Sequence, residues 1–223
     1  QFVNVLDRET QSKMKPDEVL TLLKQGNERF VKGKGHEKYL HHQVNATSMG
    51  QHPMAVVLSC IDSRTSPEFI FDVGLGDIFS IRIAGNIVND DILGSMEFAC
   101  KEAGSKVIFV LGHTHCGAVN GACNNVKLGH LTGLLDKLKP AVELTMHNSP
   151  LLKIDAAFAD EVAKNNVHIT INNILEGSQI LKEMAEAGKI KLAGGMYNIE
   201  TGKIDFYEHK FGFTTAEELK AVG

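Results

Sequence analysis

The chain has 223 residues, 43% of them hydrophobic and 22% charged, with a formal net charge of −4. That is enough apolar material for one substantial core, and too little net charge for the electrostatic footprint of a nucleic-acid binder. No apolar run approaches the roughly twenty residues a membrane-spanning helix needs, and four cysteines (60, 100, 116 and 123) are too sparse for a disulfide scaffold.

The expected partners therefore include no nucleic acid and no membrane, and metal binding is the better use for two of the cysteines. The chain starts at Gln1 without a charged-then-apolar leader pattern, which leaves its compartment open: cytoplasmic or, if a leader was removed, periplasmic. Residues 1–15 read as polar and irregular. Lys15-Pro16-Asp17-Glu18 then opens a helix, with Pro in the first turn and acids at the positive dipole end; Val19, Leu20, Leu22, Leu23, Phe30 and Val31 recur at helical spacing. From Gly33 to Gln51 periodicity is lost, which predicts a long surface connection with His36, His41 and His42 as exposed loop residues.

Pro53 introduces a strand from Met54 to Ser59 whose nearly continuous apolar character marks burial on both faces. A turn over Cys60 to Thr65 leads to a short helix, with Ser66 at its N-cap, Pro67 next and Phe69, Ile70 and Phe71 packing inward. Ile78 to Ile83 is the second strand. A helix follows Asp90 and Asp91, carries Ile92, Leu93, Met96, Phe98 and Ala99, and ends near Gly104 as a C-cap. Lys106 to Leu111 is the third strand, leading into Gly112 and His113. Helices are expected from Cys116 to Cys123, from Leu128 up to Pro140, and once or twice over 155–187, with a break at Gly177 and a stop at Gly188. Ile190 to Tyr197 is the fourth strand, and Lys203 to Tyr207 returns antiparallel at the sheet edge. The fold class is α/β, with a mainly parallel sheet of four strands plus an antiparallel edge strand, helices on both faces and an N-terminal helical arm, in a single domain over 1–223.

Sites in such sheets lie beyond the carboxyl ends of the strands, where Cys60, His113 and Cys116 all fall. A lone Cys after a buried strand is commonly an inert core thiol, and His-x-x-Cys alone is a weak motif. Their joint occurrence after two apolar strands carries the metal reading. Catalytic zinc takes three protein ligands and one water. The fourth position here belongs to water or to Asp62, two residues from Cys60. Arg64 decides between the cases, because a guanidinium can hold the carboxylate bidentately and aim one oxygen at that water. Two thiolates give a metal more negative charge than neutral imidazoles, so a less acidic water is expected unless Asp62 and Arg64 compensate. Cys100 and Cys123 read as packing residues. An extended segment turns His115 away from His113 and out of the ligand set.

These residues resemble the β-class carbonic anhydrases. Cys60-Ile61-Asp62-Ser63-Arg64 is similar to the family's C-x-D-x-R, His113-Thr114-His115-Cys116-Gly117 to its H-x-x-C-G, and the similarity runs from about Asp17 to Tyr207. The resemblance implies Zn2+ on Cys60, His113 and Cys116, with Asp62 and Arg64 as catalytic dyad and Asp62 as conditional fourth ligand. It also implies reversible hydration of carbon dioxide to bicarbonate and a proton. The assembly it implies is a homodimer or homotetramer with sites at the dimer interface, the arm and connection over 1–50 packing on a partner subunit.

Gln51, Phe79 and the Gly117 backbone match substrate-binding positions of plant-type members, and Phe98 stands where many of those have a tyrosine. Of the Trp, Arg and Tyr that form a non-catalytic bicarbonate pocket in a bacterial subgroup, Arg82 and Tyr197 match while Val57 replaces the Trp, so no such pocket is expected. The alternatives are a carbon disulfide or carbonyl sulfide hydrolase of the same fold, and a non-catalytic zinc-binding scaffold with Asp62 closing the metal.

Overall fold

The computed structural model describes residues 5–148 and 153–208; the remainder of the expected 1–223 domain lies outside the described residues. In chain order these form α1 (Arg8–Lys13), α2 (Pro16–Val31), α3 (Leu40–Thr47), β1 (Ala55–Ser59), α4 (Pro67–Ile70) and β2 (Ile78–Arg82). A 3₁₀ turn (Ala84–Asn86), α5 (Asp90–Glu97), a π-helical turn (Phe98–Glu102) and β3 (Val107–His113) follow. The remaining elements are α6 (Gly117–Cys123), α7 (Gly129–Asp136), α8 (Lys139–Asn148), α9 (Ala156–Gly177), α10 (Gln179–Glu186), β4 (Lys191–Tyr197) and β5 (Ile204–Glu208).

The sheet order is β2-β1-β3-β4-β5, parallel throughout except for β5, which runs antiparallel to β4. The expected α/β architecture, four parallel strands with an antiparallel edge strand, is the one observed. Its centre follows from composition: β1 and β3 are buried at every position, as strands covered on both faces must be, whereas β2 at the edge alternates.

Successive side chains of β1 point to opposite faces. Val56, Leu58 and Cys60 enter the core built with α5, α6, α8, α9 and α10. Ala55 and Val57 enter the opposite core, where Val19, Leu20 and Leu23 of α2 meet Ile70, Phe71 and Phe109. Each fully buried Val, Leu, Ile or Phe contributes about 1.5–3 kcal/mol by leaving water. α9 lies especially close to the sheet: a Cβ at Gly112 or Gly194 would come within 2.6 Å of a Val167 methyl, so two glycines on neighbouring strands admit this helix.

Several expectations need correction. The stretch expected to be irregular over 1–15 contains α1, which forms behind an Asp7 N-cap that accepts from Thr10 N at 2.7 Å; residues 1–4 of it lie outside the described residues. The connection over 33–51 contains α3. Both helices dock through one buried glutamine rather than an apolar stripe, which is why no periodicity announced them. Gln11 donates to Pro53 O at 2.7 Å and Ala103 O at 2.8 Å, and Gln43 accepts from Leu75 N at 3.0 Å.

Pro140 does not end a helix. α7 closes at Asp136, and Pro140 sits in the first turn of α8, where its missing N–H is no loss. Ser66 holds the N-cap position of α4 without a side-chain cap bond, and Phe69 is 68% exposed while Ile70 and Phe71 are buried. The third strand runs on through His113, so that ligand candidate is part of the sheet rather than of the loop after it. The break at Gly177 and the left-handed Gly188 after α10 are found as expected.

Candidate metal centre

Three buried side chains converge beyond the carboxyl ends of β1 and β3. One ligand atom from each of Cys60, His113 and Cys116 lies within 4.8 Å of the other two, and the two sulfurs are 4.0 Å apart. Cys60 follows β1, His113 ends β3, and Cys116 is the N-cap residue of α6. The orientation of His113 is fixed by its own chain: Nδ1 lies 2.9 Å from Thr114 O. A carbonyl can only accept, so Nδ1 carries the proton and Nε2 keeps its lone pair. That Nε2 is buried with no hydrogen-bond partner, which fits a metal ligand and little else.

His115, by contrast, turns out of the site. It adopts φ 55°, its N–H donates to Asp160 Oδ1 at 2.7 Å, and its exposed ring lies 3.9 Å from Glu200. Cys100 and Cys123 are buried packing residues, as expected.

The two thiols are unequal. The Cys116 thiol, by hydrogen bonding to Cys60, holds Cys60 well below the usual thiol range against its burial; the Gly85 and Asp62 amides add to this. The same contact, with burial, pushes Cys116 up. One proton shared between two sulfurs is what a divalent cation displaces when it takes both as thiolates. Two thiolates and an imidazole, preset at this spacing, suit zinc.

Asp62 and Arg64 form the expected bidentate pair, Nε to Oδ1 at 2.9 Å and Nη2 to Oδ2 at 2.8 Å, with Arg64 N also donating to Oδ1 at 3.0 Å. The Arg64 guanidinium, opposed by partial burial, holds the Asp62 carboxyl at about 2. Oδ2 accepts only this one bond and keeps an acceptor position. Two residues not foreseen in this role hold the loop beneath. Arg82 donates from Nε to Cys60 O at 3.0 Å and from Nη2 to Asp62 O at 2.6 Å, and Thr65 Oγ1 donates to Asp62 O at 2.9 Å. An arginine in an otherwise apolar-alternating strand was the available signal for the first; nothing in the sequence marked the second.

A pocket of about 540 Å³ opens beside Cys60 and Asp62, walled by Ala84, Gly117, Ala118 and Leu131 among others. Of the expected substrate-binding residues Gly117 lines it, whereas Gln51 and Phe79 do not. Gln51 is exposed ahead of β1. Phe79 lies on edge strand β2 against Phe98, ring centroids 6.0 Å apart at 68°, in a separate groove.

The profile of the family described as Carbonic anhydrase matches residues 55–204. Carbonic anhydrase 2 of Mycobacterium tuberculosis is 34% identical over 194 residues, covering 84% of this chain and 90% of that one. Among solved structures, the β-carbonic anhydrase CcaA superposes with a TM-score of 0.71 at 28% identity, covering 85% of this chain and 95% of that one. Two tetrameric β-carbonic anhydrases from Sordaria macrospora share the fold, with a TM-score of 0.68 at 24% identity over 75% of this chain and 89% of theirs.

Proposed function

The chain belongs to the β-class carbonic anhydrases, whose reaction is the hydration of carbon dioxide, and we propose that it works with zinc held by Cys60, His113 and Cys116. The observation that carries the zinc reading is the buried, unprotonated and unpartnered Nε2 of His113 facing two cysteine sulfurs. Zinc, when bound, supplies a Lewis acid that makes water a nucleophile near neutral pH.

The rest of the reaction falls to this chain's own groups. The apolar wall formed by Ala84, Ala118 and Leu131 admits carbon dioxide, which has no charge to solvate. Asp62, kept ionised and immobile by Arg64, accepts a hydrogen bond from water at Oδ2 and turns the water's lone pair toward the substrate carbon. Arg64 also makes Asp62 a conditional ligand. While the fork holds, the carboxylate stays with the guanidinium and a metal held by Cys60, His113 and Cys116 would keep room for water; released, Asp62 would be available as a further ligand.

Gln51 and Phe79 contribute to substrate binding from a partner subunit in a homodimer or homotetramer, with the arm over 1–50 packing on that partner. Support for the dimer comes from edge strand β2, which leaves Phe79 half-buried and Phe98 54% exposed.

The test is metal analysis beside a stopped-flow hydration assay. One zinc per chain is expected, lost together with activity in His113→Ala. Hydration by a chain that contains no zinc would overturn the metal reading while leaving the family membership intact.

A further inference from the structure

Behind the metal centre, α9 reaches the Cys60 sulfur through the backbone of the 3₁₀ turn. Gly85 N–H donates to Cys60 Sγ at 3.3 Å. Gly85 sits at φ +72°, a left-handed conformation that local preference does not impose on a chain. It is tied from the carbonyl side. Asn166 Nδ2 donates to Gly85 O at 2.8 Å, Thr170 Oγ1 to Asn86 O at 3.3 Å, and Asn86 N–H closes the turn on Ile83 O at 2.9 Å.

Asn166 and Thr170 are each 2% exposed, one helical turn apart on a helix whose neighbouring positions Val162, Val167 and Ile171 are core. A buried amide in such a place is costly unless it is bonded, and among the described residues the acceptor that Asn166 bonds is the carbonyl of the residue whose N–H meets the Cys60 sulfur. A carbonyl can only accept, so the amide nitrogen must face Gly85.

We propose that Asn166 is a positioning residue of the metal centre: by anchoring Gly85 it keeps the Gly85 N–H on the Cys60 sulfur and so limits the charge that this thiolate gives to the metal. The inference rests on the zinc reading above. Its chemical sense lies in the ligand set. Two thiolates give a metal more negative charge than imidazoles and make it a weaker Lewis acid; an N–H on one sulfur draws part of that charge back. Asp62 and Arg64 act on the water side of the metal, and Asn166 acts on the ligand side.

The experiment uses the full chain loaded with cobalt(II), with Asn165→Ala as control, since Asn165 bonds Thr145 Oγ1 at 2.8 Å from the same helix and does not touch the turn. In Asn166→Ala the thiolate-to-cobalt charge-transfer absorption is expected to move to lower energy, and the Gly85 amide proton of the zinc-loaded protein to move upfield, while the control leaves both in place. A merely structural loss would shift both variants alike or neither, and either result overturns the proposal. Should Asn166→Ala not fold, wild-type protein loaded with cadmium-113 decides: scalar coupling between the metal and the Gly85 amide proton is expected, and its absence overturns the proposal. A chain that takes up neither metal sinks the zinc reading itself, whereas a loaded chain with an unmoved band sinks only the role of Asn166.

Discussion

Two carboxylates in this protein are each held by an arginine, and they serve opposite ends. Asp62 meets Arg64 two residues away in the same loop, and Arg64 is half exposed. Asp72, 3% exposed at its side chain, gathers Arg29 Nε at 2.6 Å, Lys38 Nζ and the His36 amide at 3.1 Å from two other segments. Every acceptor position of Asp72 is taken, whereas Asp62 Oδ2 accepts a single bond. Saturation makes an ion pair a fastener of the fold; an unspent acceptor position on a residue that lines a pocket makes it available to chemistry.

Breaking each pair in turn should separate rate from stability. Asp62→Ala is expected to lower the hydration rate by about a hundredfold or more with zinc content retained. Because Arg64 is half exposed and solvent screens the pair, its thermal stability should change by no more than about 1 kcal/mol. Unchanged turnover would remove Asp62 from the mechanism. Asp72→Asn should do the reverse, costing about 3 kcal/mol in denaturant unfolding because two cations lose a buried partner, with turnover per folded molecule preserved; a rate defect at full folding would break the contrast.

The acid limb of stability sharpens it further. Burial pulls the Asp72 carboxyl up, but Lys38, Arg29 and the His36 amide outweigh that and hold it below the ordinary range. Its contribution is therefore complete above the unfolded carboxyl value of about 4 and is lost as pH falls through the lower folded value. Denaturant midpoints measured downward from pH 5 should fall less steeply in Asp72→Asn than in the wild type, and parallel curves would contradict the depressed value. The smallest effect belongs to Gly35→Ala, whose Cβ would come 3.0 Å from Asp72 Oδ1. A loss of about 1 kcal/mol from crowding is expected, read as a lower Tm with no change in hydration rate.

What could be read in advance follows the same division. Asp62 and Arg64, two residues apart, announce themselves, as do the strand that delivers Cys60 and the His-x-x-Cys spacing of His113 and Cys116. Asp72 passes unnoticed because its partners are 43, 34 and 36 residues away. α1 and α3 leave no mark in the sequence because Gln11 and Gln43 anchor them through hydrogen bonds, which impose no period on the pattern of apolar residues. Pro140 is ambiguous in the sequence because a proline ends one helix and begins the next with equal ease, and the choice lies with the turn before it.

By itself the sequence determined the parallel sheet, the three ligand candidates and the dyad, since apolar runs and short spacings are local properties of a chain. Only the tertiary structure decided that Arg82 clamps the Asp62 loop, that Asp160 holds the His115 turn, and that Asn166 anchors the glycine on Cys60. Those hydrogen bonds join residues twenty to eighty-one apart. They exist because α9 and β2 pack where the core puts them, and a side chain's partner at such a distance is fixed by packing rather than by its neighbours in the chain.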